Sequence, residues 1–126
     1  MHLRSGVDLI SLQRFDEALR RHGQRLLMRL FTATEIEQSG GRVASLAARF
    51  AAKEAAAKAL GCGIGEVGWR EIEVTVNEKG APHLRFYGNA AQKIREQKWQ
   101  NWSLSLSHTE EAALAMLIVL CEDSPN

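Results

Sequence analysis

Cysteine is scarce in this 126-residue chain, which holds only Cys62 and Cys121. The two lie far apart and neither belongs to a Cys-x-x-Cys pair, so they cannot form a zinc knuckle or a disulfide framework. This usage is typical of a reducing compartment. Proline is equally rare, at two residues, and no Pro- or Ser-rich linker divides the chain. Its length then predicts a single domain spanning 1–126.

Long hydrophobic runs are also missing. The longest, Ala112–Cys121, has ten residues, and that is about half of what spans a bilayer. The opening segment Met1–Gly6 has no apolar signal core. We therefore expect a cytoplasmic protein that does not enter a membrane.

Neither sign of charge dominates, since 16 Lys and Arg stand against 15 Asp and Glu. This excludes a broadly basic nucleic-acid coat, and the three tryptophans do not cluster with arginines to form a stacking platform. A local excess does exist between Arg14 and Arg29, with five arginines and two acids. Arg14, Arg21 and Arg25 recur at i, i+7 and i+11, opposite the apolar stripe of a predicted helix. They indicate docking of an acidic partner, although an exposed basic face without a partner explains them equally well.

The period of the apolar residues changes from helical to alternating along the chain. Helices first and mostly antiparallel strands later predict an α+β fold, with a sheet packed against a long helix. Ser11 is expected to cap the first helix and Gly23 to end it. The predicted helices span 12–22, 24–31, a short segment after the capping box Thr32–Glu35, 42–60, and a polar helix capped by Asn89 with Gln92 and running to about Lys98. The predicted strands span 6–10, 72–76 with one buried face, 82–87, 102–107 and 112–120.

Two carboxylates stand out. Asp8 lies in an apolar strand, where a charge is costly unless it is paired or bound to metal; capping of the next helix is the structural alternative. Glu54 lies one helical turn before Lys58, among small alanines that let a ligand approach. A solvated Glu–Lys pair is the alternative there. If Asp8 approaches Glu54, the two make a Mg²⁺ site that takes phosphate oxygens.

Two further features have both a chemical and a structural interpretation. His108 follows an alternating strand at a turn, where it can accept a proton, orient a phosphate, or simply bond to backbone. The glycines of Gly61–Gly65 can bring backbone amides to a phosphate, and a flexible helix exit explains them equally well.

Taken together, these residues resemble the holo-(acyl-carrier-protein) synthase family, the short phosphopantetheinyl transferases, over nearly the whole chain. The helical signature is the most specific piece, and the pieces follow in the family's order and spacing. They are Gly6–Leu9, Arg49–Ala55 with Lys58, Gly61–Gly65, Ile72–Val74 before Gly80–Pro82, and Ser105–Thr109.

The resemblance implies a 4′-phosphopantetheinyl transferase fold and transfer of the 4′-phosphopantetheine arm of coenzyme A to a serine of apo acyl carrier protein. It implies that Asp8 and Glu54 hold Mg²⁺ and that Lys58 neutralises or protonates the leaving phosphate. His108 would contact the coenzyme near its reacting end. Glu54 acting through a water and His108 acting directly both remain open as the base.

The resemblance also implies a homotrimer with coenzyme A between subunits and an acidic carrier protein on the first helix. The expected carrier contacts are Arg14, Arg21 and Arg25. The expected coenzyme contacts are Lys58, Gly61, Gly63, Gly65, Pro82, His108 and Thr109.

Three observations bear on other interpretations. Trp99 and Trp102 stand where the family resemblance leads us to expect smaller residues, which affects the expected packing near the last strands and not the motifs. A methylerythritol cyclodiphosphate synthase would need Asp-x-His, whereas Asp8 is followed by Leu9 and Ile10. A non-catalytic adaptor that binds an acidic protein through the arginine-rich first helix is the alternative from another class.

Overall fold

A long alanine-rich helix lies across one face of a three-stranded antiparallel sheet in the computed structural model, which describes residues 1–123. The strand order is β1-β5-β4, and β2 and β3 form a separate antiparallel hairpin. In chain order the elements are β1 (His2–Ser11), α1 (Leu12–Leu30), α2 (Ala33–Ser39), α3 (Val43–Leu60), a 3₁₀ turn (Trp69–Glu71), β2 (Ile72–Val76), β3 (Pro82–Phe86), α4 (Gly88–Glu96), β4 (Trp99–His108) and β5 (Ala112–Cys121). The predicted α+β class is confirmed.

The contact between α3 and β1 is unusually close at Gly6. A Cβ added to Gly6 would lie 1.8 Å from the carbonyl oxygen of Ala55, inside any tolerated contact. The facing side of α3 is built from alanines, most of them fully buried, such as Ala51 and Ala55. Small side chains on the helix and a glycine on the strand therefore let the two backbones touch.

The hairpin β2–β3 is joined to the rest of the molecule through α2. The free edge of β2 is met by side chains of this short helix, because Glu35 accepts from the Val74 N–H at 2.9 Å and Gln38 from the Val76 N–H at 3.0 Å. Glu35 is also the third position of the predicted capping box at Thr32, which is confirmed. The carboxylate of Glu35 thus both caps the start of α2 and accepts a hydrogen bond from the edge of β2.

Several predicted elements differ from the structure in detail. Gly23 interrupts α1 with a left-handed φ of 59°, so the two predicted helices meet at a kink there. Ser11 caps α1 as expected, accepting from the Arg14 N–H. The cap assigned to Asn89 is wrong, because α4 begins one residue earlier and Asn89 donates to the Glu66 carbonyl. Glu73, expected on an exposed face, is buried, because its carboxylate accepts from the hydroxyl groups of Thr32 and Tyr87.

The sheet face turned away from α3 is apolar and open. Alternate residues of β1 and β5 point there and are between 39% and 69% exposed. They are Leu3, Val7, Leu9, Leu114, Met116 and Ile118. We call these six residues the open sheet face. A contiguous apolar patch of this kind usually marks an interaction surface.

No helix within residues 1–123 is both long and apolar enough to cross a membrane. The last residues, 124–126, lie outside the described part of the chain, and so does most of the loose tail expected over Glu122–Asn126.

We predict that Gly6→Ala destabilises the fold by about 3 kcal/mol, because the new methyl group must displace the backbone of α3. Gly63→Ala is the matched control, since the described residues leave open space around Gly63, and we expect it to stay within about 0.5 kcal/mol of the parent. Urea unfolding followed by circular dichroism measures both. Equal stability of the two variants would contradict the close contact.

Candidate active site

Asp8 and Glu54 meet where β1 passes under α3. Asp8 shares the α3-facing side of β1 with Gly6, whose contact with Ala55 brings the strand against the very turn of α3 that carries Glu54. Partial burial raises the pKa of the Glu54 carboxyl, the Asp8 charge raises it further, and Lys58 opposes both. Two like charges therefore share one partly desolvated position.

Lys58 completes the group from the next turn of α3. Its ammonium lies 3.0 Å from Asp8 Oδ1 and 3.0 Å from the carbonyl oxygen of Val7. Among the described residues Lys58 pairs with Asp8 rather than with Glu54, so the solvated Glu–Lys pair considered from the sequence is not formed. The cap of α1 is Ser11, which removes the capping role considered for Asp8.

The second carboxylate oxygen of Asp8, Oδ2, differs from the first in its hydrogen bonding. Oδ2 is buried, yet none of residues 1–123 supplies it with a hydrogen-bond partner. A buried carboxylate oxygen without a partner is costly, and a hard cation that prefers oxygen ligands satisfies it. The donor set, Asp8 with Glu54 nearby, fits Mg²⁺, which usually takes one or two carboxylates and completes its shell with water and phosphate. Within the same range no cluster of three or more potential ligands exists, so any cation must draw the rest of its shell from elsewhere.

His108 and Thr109 lie at the other edge of the sheet. His108 pairs with Ala113 of β5, and Ala113 pairs on its other side with Ile10 of β1. One strand therefore separates His108 from β1, a distance of about 10 Å between backbones. Thr109 Oγ1 accepts from the backbone of the β4–β5 turn at 3.1 and 3.2 Å. Within one chain these two residues do not join the Asp8–Glu54 group.

The glycine segment and Pro82 lie apart from the carboxylates too. Gly61 ends α3 in a left-handed conformation and its N–H donates to the Lys58 carbonyl, while the Gly65 N–H donates to Val67. Both amides are engaged, so a phosphate would have to use others, such as that of Gly63. Pro82 opens β3 and lines a cavity of about 460 Å³ with β4.

Of the three predicted carrier contacts, only Arg14 lines a larger cavity, of about 760 Å³. Arg14 and Arg29 line it together with Phe50 and Trp69, and the wall also includes Leu9, the residue after Asp8. Trp69 reaches this wall because the 3₁₀ turn stacks it on Phe50 at 4.9 Å between ring centroids.

Arg21 and Arg25 are exposed on either side of Gly23. Because Gly23 breaks the helical phase, the i+11 spacing no longer aligns Arg25 with Arg14 on one continuous face. The basic surface is instead formed by two helical segments that meet at the kink.

The model of the 4′-phosphopantetheinyl transferase superfamily matches residues 4–116 of the chain. A holo-[acyl-carrier-protein] synthase of Herpetosiphon aurantiacus is 45% identical over 121 residues, which cover 90% of this chain and 95% of that protein. That of Streptomyces griseus is 44% identical over 93% of this chain and 95% of its own.

Solved structures agree with this fold. The Helicobacter pylori holo-[acyl-carrier-protein] synthase in complex with coenzyme A superposes with a TM-score of 0.84 at 31% identity, covering 92% of this chain and 99% of that one. The Neisseria meningitidis synthase gives 0.84 at 36% identity, covering 93% and 97%. This chain therefore belongs to the 4′-phosphopantetheinyl transferase superfamily, in its holo-[acyl-carrier-protein] synthase family.

We predict that Asp8→Asn lowers the pKa of Glu54, because a like charge is removed, and that Lys58→Met raises it, because an opposing cation is lost. Carboxyl-carbon NMR titration measures both. Glu66→Gln, on an exposed side chain that pairs with Lys93, is the control that leaves the pKa unchanged.

The raised pKa of Glu54 also determines how the stability of the fold changes with pH. Because the pKa of Glu54 is raised on folding, the stability it contributes is present below the unfolded carboxyl pKa and is lost as pH rises through the folded pKa. Asp8→Asn should make the stability of the fold fall less as pH rises, because one of the causes of the raised pKa is removed. If the pKa of Glu54 is the same in parent and both variants, the three side chains do not form one group.

Proposed function

We propose that this chain transfers the 4′-phosphopantetheine arm of coenzyme A to a serine of an apo acyl carrier protein, in a Mg²⁺-dependent reaction. The observation that carries the proposal is the group formed by Asp8, Glu54 and Lys58. It combines two carboxylates, one with a raised pKa, and an ammonium within 3.0 Å of Asp8. Membership of the family indicates the substrates, coenzyme A and an acyl carrier protein, and this arrangement of charges suits the pyrophosphate of coenzyme A.

In the proposed reaction the serine oxygen forms a bond to the phosphorus that bears the pantetheine arm. The bond from that phosphorus to the bridging oxygen breaks, and adenosine 3′,5′-bisphosphate leaves. The serine proton goes to a base on the enzyme or a water. Lys58 neutralises or protonates the leaving phosphate, which its position beside Asp8 supports.

Asp8 and Glu54 would hold the Mg²⁺, and the unpartnered Oδ2 of Asp8 supports this assignment. A cation bound there would supply positive charge against the pyrophosphate, whose cleavage depends on charge neutralisation and positioning more than on covalent help.

Two candidates for the base remain in the proposal. Glu54 acts through a water within the same chain, and its raised pKa makes the carboxylate a better proton acceptor than an ordinary glutamate. His108 acts directly only if a neighbouring subunit brings it to the carboxylates, because β5 separates it from β1 in one chain.

A homotrimer with shared active sites is therefore part of the proposal. The open sheet face supports it, since six apolar side chains there need a partner surface and a second and third copy of the same sheet provide one. Light scattering that gives a single-chain mass at micromolar concentration would contradict this.

The substrate contacts also stay proposals. Coenzyme A would be contacted by Lys58, by the segment holding Gly61, Gly63 and Gly65, by Pro82, and by His108 and Thr109. The acidic carrier protein would dock on Arg14, Arg21 and Arg25, next to the cavity lined by Arg14 and Trp69. The cytoplasmic location likewise stays a prediction.

The non-catalytic adaptor uses the same arginines and leaves the carboxylates without a role. It has no account of why Asp8 Oδ2 is buried without a partner or why Glu54 sits against a like charge. Those two costs favour the transferase.

We predict that Glu54→Gln lowers transfer by about 100-fold or more, because the variant keeps the side-chain size and loses the charge that positions the cation. Intact-protein mass spectrometry of the carrier protein measures transfer. Glu66→Gln is the control and keeps full activity. Full turnover by folded Glu54→Gln would remove the assignment of Glu54.

We also predict that reversing Arg14 and Arg21 to Glu raises the KM for carrier protein by about tenfold or more and leaves coenzyme A binding nearly unchanged. The double reversal of the exposed Arg85 and Arg95 is the matched control for net charge. Equal losses of carrier and coenzyme binding in the first variant would refute the docking surface.

A further inference from the structure

We propose that Lys53, the residue before Glu54, is a positioning residue that fixes the rotation of α3 and so aims Glu54 at Asp8. The inference rests on the proposed function of the Asp8–Glu54 group and extends it to a side chain that lies in the core.

Lys53 is a fully buried cation, with 0% exposure, in a chain whose other lysines are at least partly exposed. All three of its ammonium protons are used. They go to Glu35 Oε1 at 2.7 Å, to the Trp69 carbonyl at 3.0 Å and to the Ile72 carbonyl. These acceptors belong to α2, the 3₁₀ turn and β2, so one side chain ties α3 to three other elements. We call Lys53 with Glu35 the α3 anchor.

The Glu35 half of the anchor is satisfied to the same degree. Its carboxylate, also 0% exposed, accepts from Lys53, from the Thr32 N–H at 3.0 Å and from the Val74 N–H at 2.9 Å. A buried ion pair is a poor source of net stability, because desolvation offsets the attraction. Its best-attested use is to select one geometry among competing ones.

The helix that carries the anchor needs such a device. Where side chains are large, ridges packed into grooves fix how one element is rotated against another. The sheet-facing side of α3 is formed by alanines such as Ala51, Ala52 and Ala55. Their methyl groups form only shallow ridges, which do little to fix the rotation of the helix. Gly6 sets how closely α3 approaches β1, and Lys58 bonds to Asp8 and to the Val7 carbonyl on that side of the helix. Rotation about the helix axis also needs directional bonds on the side that faces α2 and β2.

Rotation matters because Glu54 follows Lys53 in the sequence. Successive residues of an α-helix are about 100° apart, so fixing Lys53 toward α2 and β2 fixes Glu54 on the adjoining face, toward β1. Functional groups must be held to about 0.5 Å and 10–20°. The α3 anchor supplies three directional bonds on the side of α3 that faces α2, the 3₁₀ turn and β2, and Arg49 adds a longer bond to Gln38 of α2 at 3.4 Å.

The test compares Lys53→Met, Glu35→Gln and the double variant with a core control, Val74→Ala, chosen because Val74 is buried in the same hairpin. The first readout is binding of Mn²⁺, as a spectroscopic substitute for Mg²⁺, measured by electron paramagnetic resonance without turnover. The second is the Mg²⁺ concentration needed for half-maximal transfer. Melting temperature is recorded for all.

We expect Lys53→Met to weaken Mn²⁺ binding and raise the Mg²⁺ requirement by about tenfold or more, the usual effect of losing a group that orients a ligand. Val74→Ala should lower the melting temperature and leave both metal readouts unchanged. The double variant should regain stability, since no unpaired charge remains buried, without regaining metal affinity. Glu35→Gln keeps the size of the side chain and carries the same test if Lys53→Met does not fold.

Two failures are distinguishable. If parent protein neither binds Mn²⁺ nor performs transfer, the proposed function fails. If the parent does both and the anchor variants match Val74→Ala in metal affinity, the anchor is structural and this inference is overturned.

Discussion

The approach of α3 to β1 is the contact on which the rest of the structure depends. Gly6 has no side chain where Ala55 brings its carbonyl oxygen, and a Cβ at that point would lie 1.8 Å away. The strand that carries Asp8 and the helix that carries Glu54 and Lys58 can therefore touch along their backbones. With an ordinary side chain at either surface, the carboxylates would be held apart by the width of a packed layer.

Two pairs of charged residues, each linking α3 to a neighbouring element, contrast in how their polar atoms are satisfied. Lys53 and Glu35 are fully buried and every donor or acceptor they present is used. Asp8 and Glu54 repel each other, and Asp8 keeps one oxygen without a partner among the described residues. Because proteins keep unmet electrostatic cost chiefly at functional sites, we propose the chemistry at the second pair and a supporting role for the first.

Local signals in the sequence predicted much of this. The capping box at Thr32, the end of α3 at Gly61 and the alternation before His108 were enough to place helices and strands, because each depends on neighbouring residues. Asp8 could be singled out because a charge in an apolar strand is costly, and Glu54 because the small alanines around it let a ligand approach. The electrostatic interaction between the two carboxylates could not be derived from local patterns, because Asp8 and Glu54 lie on a strand and a helix and are 46 residues apart in the chain.

What the sequence did not predict depends on tertiary packing. Alternation alone assigned Glu73 to solvent, whereas Thr32 and Tyr87 from other parts of the chain bond to its buried carboxylate. The stacking of Trp69 on Phe50 likewise depends on the 3₁₀ turn meeting α3. Lys53 belongs to the same class, since nothing in an alanine-rich helix distinguishes a buried lysine from the exposed Lys58. The family resemblance was confirmed, whereas the roles of the site residues remain proposals.

The most direct measurement is mass spectrometry of an apo acyl carrier protein incubated with this protein, coenzyme A and Mg²⁺, alongside an EDTA control. The account predicts a gain of one phosphopantetheine arm that disappears with EDTA. No gain with several carrier proteins, from protein shown to be folded, would contradict transfer. A gain that EDTA leaves unchanged would contradict the metal site at Asp8 and Glu54.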